Sequence, residues 1–190
     1  MKIILAITGA SGSIYAQFIL EKIALLNNLI EECTVIFSNN GKDVWKYETG
    51  ESPDFHSMKN IRMVENQSMF DAVASGSSMY RSMIIAPCSM GTIGKIASGT
   101  SDNLIIRAAD VMLKEKKPLI LVPRESPYNS IHLQNMLTLD RAGAYIMPAS
   151  PFFYHRPQTI NQLLNPYIER ILDKAGIEST LFRWGTDNVK

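Results

Sequence analysis

The sequence predicts a single α/β domain, three layers deep, doubly wound around a mainly parallel sheet. Three observations carry that expectation. Short apolar, β-branched runs alternate with longer stretches of helical periodicity along nearly the whole chain. The runs are apolar at successive rather than alternate positions, as strands are when helices cover both faces of a parallel sheet. The size, 190 residues with 46% hydrophobic and 19% charged side chains, suits one domain with a substantial core. Together they describe a Rossmann-like or flavodoxin-like architecture.

Taken in order, KIILAIT is the first strand and 13 to 27 the first helix, with Phe18, Ile19 and Ile23 at helical spacing. CTVIFS leads into 41 to 47, and SMIIAP into a long helical stretch from 89 to 115. PLILVP precedes 130 to 142, and AYIMP precedes 159 to 175, where Pro166 is expected to kink or restart the helix. Between 50 and 66, GESPDFHSMKNIRMVEN has weak periodicity and many turn residues, and reads as a surface excursion with room for one short strand. The domain is expected to span 1–176. Residues 177–190, with Phe182, Arg183 and Trp184, read as an apolar arm that packs on a neighbouring subunit.

A formal charge of +1, with no basic cluster interleaved with exposed aromatics, argues against nucleic acid as a partner. The chain has no run of eighteen apolar residues and no leader pattern, so a cytoplasmic protein without a membrane span is expected. Cys33 and Cys88 lie in or at the end of strand-like runs without a CxxC partner. They read as small buried residues, and no metal site is expected.

Parallel sheets bind ligands beyond the carboxyl ends of their strands, which directs attention to 8–11, 38–40, 87–92 and 123–127. The first of these, TGASGSIY, has Tyr15 where a dinucleotide fingerprint wants its last glycine. The second strand ends in Ser38 rather than an acidic residue, and no tyrosine is followed by lysine at Tyr-x-x-x-Lys spacing, so a nicotinamide dinucleotide is disfavoured. A nucleophile elbow would need glycine at Ser13, and no histidine has a clear acidic support. Two readings stay open: a small-residue turn whose N–H groups hold one phosphate or face a flat ring, or a tight turn that merely needs small residues.

Residues 103–115, NLIIRAADVMLKE, are apolar on almost all sides, as in a buried or interface helix, yet carry Arg107, Asp110 and Lys114. Positions 107 and 114 share one stripe about 10 Å apart, which can face an anionic ligand. The alternative is an Arg107–Asp110 ion pair beside a solvated basic terminus that complements the helix dipole. In VPRESP, Arg124 and Glu125 stand together between two prolines, where the carboxylate can relay a proton or form a solvated salt bridge. Glu48 is a weaker candidate of the same kind.

Over nearly the whole chain, TGASGSIYA, YET, ASGSS, PCSMGT, NLIIRAADVMLKE, LVPRESPYNSIHLQNM, FYHRP and RWG together resemble the UbiX/Pad-type flavin prenyltransferases. The resemblance implies a metal-independent transfer of a dimethylallyl group from dimethylallyl monophosphate to N5 and C6 of reduced FMN. The prenylated FMN would serve a UbiD-type decarboxylase, and the protein would be a homo-dodecamer with its sites at subunit junctions. It implies that Gly9, Ala10 and Ser11 meet the flavin, and that Ser38, Ser89, Met90, Gly91, Thr92 and Arg124 hold its phosphate and ring. Ser75, Arg107, Lys114, Tyr154 and Arg170 would grip the substrate phosphate, the last two from a neighbouring subunit. Ser11, Glu48, Lys114, Glu125 and Trp184 would act in catalysis, with Glu125 and Lys114 relaying protons. Two alternatives remain: a flavin-dependent decarboxylase acting directly on an aromatic or cysteinyl acid, and a flavin-carrying accessory subunit.

Overall fold

The computed structural model describes residues 1–55 and 58–177. Six parallel strands form one sheet in the order β3-β2-β1-β4-β5-β6: β1 (Lys2–Ile7), β2 (Glu32–Phe37), β3 (Ile61–Glu65), β4 (Tyr80–Cys88), β5 (Leu119–Pro123) and β6 (Tyr145–Ile146). The central strands are solvent-free along most of their length, which is why their sequences are apolar at successive positions. The chain winds outward from β1 in both directions, so the carboxyl ends of β1 and β4 meet at the switch point.

Among the described residues, six helices cover the sheet: α1 (Ser13–Leu25), α2 (Asn39–Thr49), α3 (Met90–Ala97), α4 (Leu104–Lys114), α5 (Ser130–Arg141) and α6 (Ile160–Lys174). On one face, Ile19 and Ile23 of α1, Trp45 of α2 and Ile168 and Ile171 of α6 share a core with Ile3, Leu5 and Ile7. On the other, Ile93 of α3, Ile105 and Met112 of α4 and Leu139 of α5 pack against Ile4, Ala6 and Ile85. Cys33 and Cys88 are fully buried free thiols, and burial pushes both well above the ordinary thiol range.

Two expectations are corrected, at 89–115 and at Pro166, and the one short strand expected between 50 and 66 is present. The stretch 89–115 is two helices: the chain leaves α3 at Ala97, turns through Gly99 in a left-handed conformation (φ 71°), and restarts at Asn103, whose Oδ1 accepts from Ile106 N (3.1 Å) and caps a second helix. The excursion after Gly50 contributes the edge strand β3, paired in register with β2 from Cys33↔Ile61 to Phe37↔Glu65. Phe55 anchors it by joining Phe37 and Trp45 in an aromatic cluster with centroids 5.4–6.3 Å apart. Pro166 does not restart α6, which runs without interruption from Ile160 to Lys174. The carbonyl four residues back, on Gln162, has no N–H to accept there, and the His155 Nε2–H donates to it instead (2.9 Å).

Candidate functional site

Thr8, the residue after β1, sews the switch point together. Its N–H and Oγ1 both donate to the Pro87 carbonyl (3.2 and 2.9 Å), and its Oγ1 accepts from Ser89 N (2.8 Å). The start of α3 is thereby held beside the turn at Gly9. Ser38 caps α2 by accepting from Gly41 N (3.0 Å), and Ser89 caps α3 by accepting from Thr92 N (3.3 Å). Between these two helix starts lies a cavity of about 430 Å³, lined by Gly9, Ser38, Asn40, Ser89, Gly91 and Thr92 among others. The leading N–H groups of a helix have no intrahelical acceptor, so a cavity at two such ends favours an anion such as a phosphate.

The opening turn itself is not free to bind one. Gly12, in a left-handed conformation (φ 118°), is the N-cap of α1 and supplies no side chain. Glu48, from the end of α2, fills that role: its carboxylate accepts from Gly12 N (3.0 and 3.1 Å) and from Ser13 N (2.7 Å). Burial alone would raise the Glu48 carboxyl. The neighbouring Ser11 hydroxyl and the hydrogen bonds from the Gly12 and Ser13 backbone N–H groups outweigh it and hold the carboxyl below its ordinary range.

The segment after β5 leans on the same turn. Arg124 Nε donates to the Ser11 carbonyl (2.9 Å), and Glu125 Oε1 accepts from Ser126 N (3.0 Å). Burial first, and the Glu125 charge second, push the neighbouring Tyr128 phenol up. Ser11, Glu48, Arg124 and Glu125 thus share one rim. His132 is structural: its N–H donates to Asn129 Oδ1 (2.8 Å), and its Nδ1 accepts from Asn129 N (3.4 Å), which closes a capping box.

The residues expected to grip a substrate phosphate fall into two groups. On α4, Arg107 Nε donates to the Ala74 carbonyl (3.2 Å), next to Ser75, and Nη1 pairs with Asp110 (2.8 Å). The anticipated ion pair is therefore present, and the guanidinium still borders the Ser75 segment. Lys114 lies against Gly76, with its Nζ 3.1 Å from where a Cβ would stand, and pairs with Glu115 (3.3 Å). The second group is gathered by Phe152: Tyr154 stacks on its ring at 4.7 Å, and the Arg170 guanidinium lies 6.0 Å from its centre. Because α4 and α6 cover opposite faces of the sheet, one chain does not bring the groups together.

The same geometry separates Lys114 from Glu125. Lys114 precedes the amino end of β5 and Glu125 follows its carboxyl end, so a relay between them within one chain is not supported. Met90 gives its side chain to the core and Ala10 is buried, which leaves their backbones as the groups on offer. Trp184 lies outside the described residues. Sequence reasoning missed Asn66, Gln67, Lys95 and Asp102, which also line the cavity, the last two as an ion pair at 2.5 Å. Asn66 had a usable signal, being the first residue after a strand.

The sequence profile of the Flavoprotein family matches residues 1–172. The chain is 45% identical over 189 residues to the flavin prenyltransferase UbiX of Methanocaldococcus jannaschii, covering 98% of this chain and 100% of the relative. Its fold superposes on the crystal structure of AnUbiX (PadA1) in complex with FMN and dimethylallyl pyrophosphate, with a TM-score of 0.89 and 38% identity over 96% of each chain. A dodecameric FMN-dependent UbiX-like decarboxylase from Escherichia coli O157:H7 gives the same TM-score at 35% identity, covering 96% of this chain and 99% of that one.

Proposed function

This chain belongs to the Flavoprotein family, among its flavin prenyltransferases, and we propose that it transfers a dimethylallyl group from dimethylallyl monophosphate to N5 and C6 of reduced FMN. The observation that carries this reading is the cavity where α2 and α3 begin, adjoining a turn whose Gly12 and Ser13 N–H groups are already taken by Glu48. A flavin mononucleotide fits that arrangement. Its phosphate suits the helix starts and the Ser38, Ser89 and Thr92 hydroxyls, and Gly9 to Ser11 form a floor for its ring. Arg124, tied to the Ser11 carbonyl, would border the ring, and Met90 and Gly91 would offer backbone N–H groups.

The reduced ring supplies an electron-rich acceptor, and the remaining chemistry falls to this chain's side chains. Arg107, Lys114 and Ser75 would stabilise the phosphate as it leaves, with Tyr154 and Arg170 closing on it from another copy. Glu125 and Glu48 would hold or move protons at the rim, and a Lys114 paired with Glu125 in a relay would come from a neighbouring subunit. Trp184 would shield the developing allylic cation. We assign the chain a homo-dodecameric state, a UbiD-type decarboxylase as recipient of the prenylated FMN, and the cytoplasm as its place of work. Among the described residues no helix is long and apolar enough to cross a membrane, and no group of three or more potential metal ligands occurs.

The test is anaerobic incubation with reduced FMN and either dimethylallyl monophosphate or the diphosphate, followed by the mass of the extracted flavin. A gain of one prenyl unit is expected with the monophosphate, and an unchanged mass overturns the reading. Since the Escherichia coli neighbour is described as a decarboxylase, carbon dioxide release from an aromatic acid by this protein alone would favour the direct decarboxylase instead.

A further inference from the structure

We infer that Arg62 is a positioning residue for the donor-phosphate clamp, acting through Asp71 on the segment that carries Ser75. This rests on the reading of Ser75, Arg107 and Lys114 as part of that clamp. Arg62 stands on β3 opposite Thr34 of β2. Its guanidinium forks onto Asp71, with Nη1 to Oδ2 at 2.7 Å and Nη2 to Oδ1 at 3.0 Å. The fork is aimed by Tyr80, whose hydroxyl accepts from Nη2 (2.9 Å), by Thr34 Oγ1 (3.1 Å) and by Glu32, 3.5 Å from Nε. A bidentate guanidinium held from three sides fixes the direction as well as the distance of its partner.

Asp71 in turn starts the structure it is pinned to. Its Oδ1 accepts from Val73 N (3.1 Å), capping a short 3₁₀ turn at Ala72–Ala74. The last carbonyl of that turn, on Ala74, is the acceptor for Arg107 Nε, and Ser75 comes next. At the far end of the segment Lys117 Nζ donates to the Ser78 carbonyl (3.1 Å), and a Cβ at Gly76 would overlap the Glu115 carboxylate. The segment is thus tied at Asp71, Ala74 and Ser78 while the Ser75 and Ser77 hydroxyls remain at its exposed crest, 2.9 Å apart.

The cluster is a holding device rather than a second ligand site, because its charges are spent on one another. Arg62 and Lys2 face Glu32 and Asp71, and the Tyr80 hydroxyl donates to Glu32 (2.6 Å). Freeing Asp71 would leave the turn without its cap and the Ala74 carbonyl without a fixed place. Arg107 would keep its Asp110 partner and lose its second support. The predicted loss is therefore in donor binding and not in flavin binding, since no residue of this network lines the flavin cavity.

The experiment uses the full-length oligomer and measures wild-type prenylation of reduced FMN first, then donor KM, kcat and FMN Kd for Arg62→Met, Asp71→Asn and Arg62→Lys. Donor KM should rise roughly tenfold in the first two variants, with FMN Kd unchanged and kcat within about threefold. Arg62→Lys, which keeps one charged hydrogen bond, should fall between them and the wild type. Unchanged donor KM overturns the inference, and so does a loss of FMN affinity in parallel with donor affinity, the mark of general damage. Asp71→Asn, close to isosteric, decides the matter where Arg62→Met does not fold. A wild-type protein that leaves the flavin mass unchanged overturns the functional reading itself, before any variant is compared.

Discussion

At Glu48 a carboxylate occupies a helix start whose own N-cap, Gly12, has no side chain to offer. Its folded pKa is depressed, so its contribution to stability is complete above the unfolded value of about 4.3 and is lost as pH falls through the folded one. Glu48→Gln should therefore cost about 1 kcal/mol at neutral pH, the value of a lost cap at an exposed site, and the gap in Tm from the wild type should close toward pH 3. Thermal melts across that range check it; a constant gap would mean that the charge is not what stabilises the turn. Glu125, with no such backbone donor beyond Ser126 N among the described residues, is the carboxylate proposed above for chemistry rather than folding. Glu125→Gln should keep FMN affinity and lose turnover by at least about a hundredfold, the usual worth of a proton-transfer group, as single-turnover assays with bound flavin would show. Gly9, Ser38, Ser89, Gly91 and Thr92 were legible in the sequence because each follows a continuous apolar run, and the carboxyl ends of parallel strands form one rim. The capping role of Glu48 was not, since nothing in KYETG tells which helix start its carboxylate will meet.

Helices α2 and α6 show how local chemistry sets the position of the site. Helix α2 seats so close to β1 that a Cβ at Gly41 would overlap the Ile7 carbonyl oxygen, a backbone atom that cannot swing aside. Gly41→Ala should push α2 outward, lower stability by about 1–3 kcal/mol and weaken FMN binding, because Ser38 and Asn40 move with the helix. Urea titration and flavin fluorescence would read the two effects; a variant as stable as the wild type would show that the helix has room to slide. In α6 the sequence pointed to a kink or restart at Pro166, and it had no means of foreseeing that His155, seven residues before Gln162, donates to the orphaned carbonyl. Removing that donor in His155→Phe should cost about 0.5–1 kcal/mol at this exposed position. The edge strand β3 was only half legible for a related reason: none of its side chains is fully buried, so it lacks the apolar run that marked the central strands.

At the scale of the whole molecule, the sheet separates the two groups of residues proposed to grip the donor phosphate. Arg107, Lys114 and Ser75 lie on the α4 face, whereas Tyr154 and Arg170 lie on the α6 face, gathered on Phe152. A helix layer packs about 10 Å from a sheet, so two helices on opposite faces are about 20 Å apart across it, too far for one phosphate. Each face by itself leaves apolar side chains in solvent, including Phe70 near the first group and Phe153 beside the second, as expected of surfaces covered by other copies. A junction site of this kind makes a prediction that no single-chain site shares. Arg107→Met and Arg170→Met should each be inactive as homo-oligomers while binding FMN normally, because the flavin cavity contains neither residue. Co-assembled one to one at random, a junction takes an intact α4 group from one copy and an intact α6 group from another about a quarter of the time, so about a quarter of wild-type turnover should return. Recovery would vanish if both groups acted within one chain, since every chain in the mixture carries one lesion. Mixed oligomers that bind FMN fully and stay inactive would therefore sink the junction site while leaving the flavin site standing.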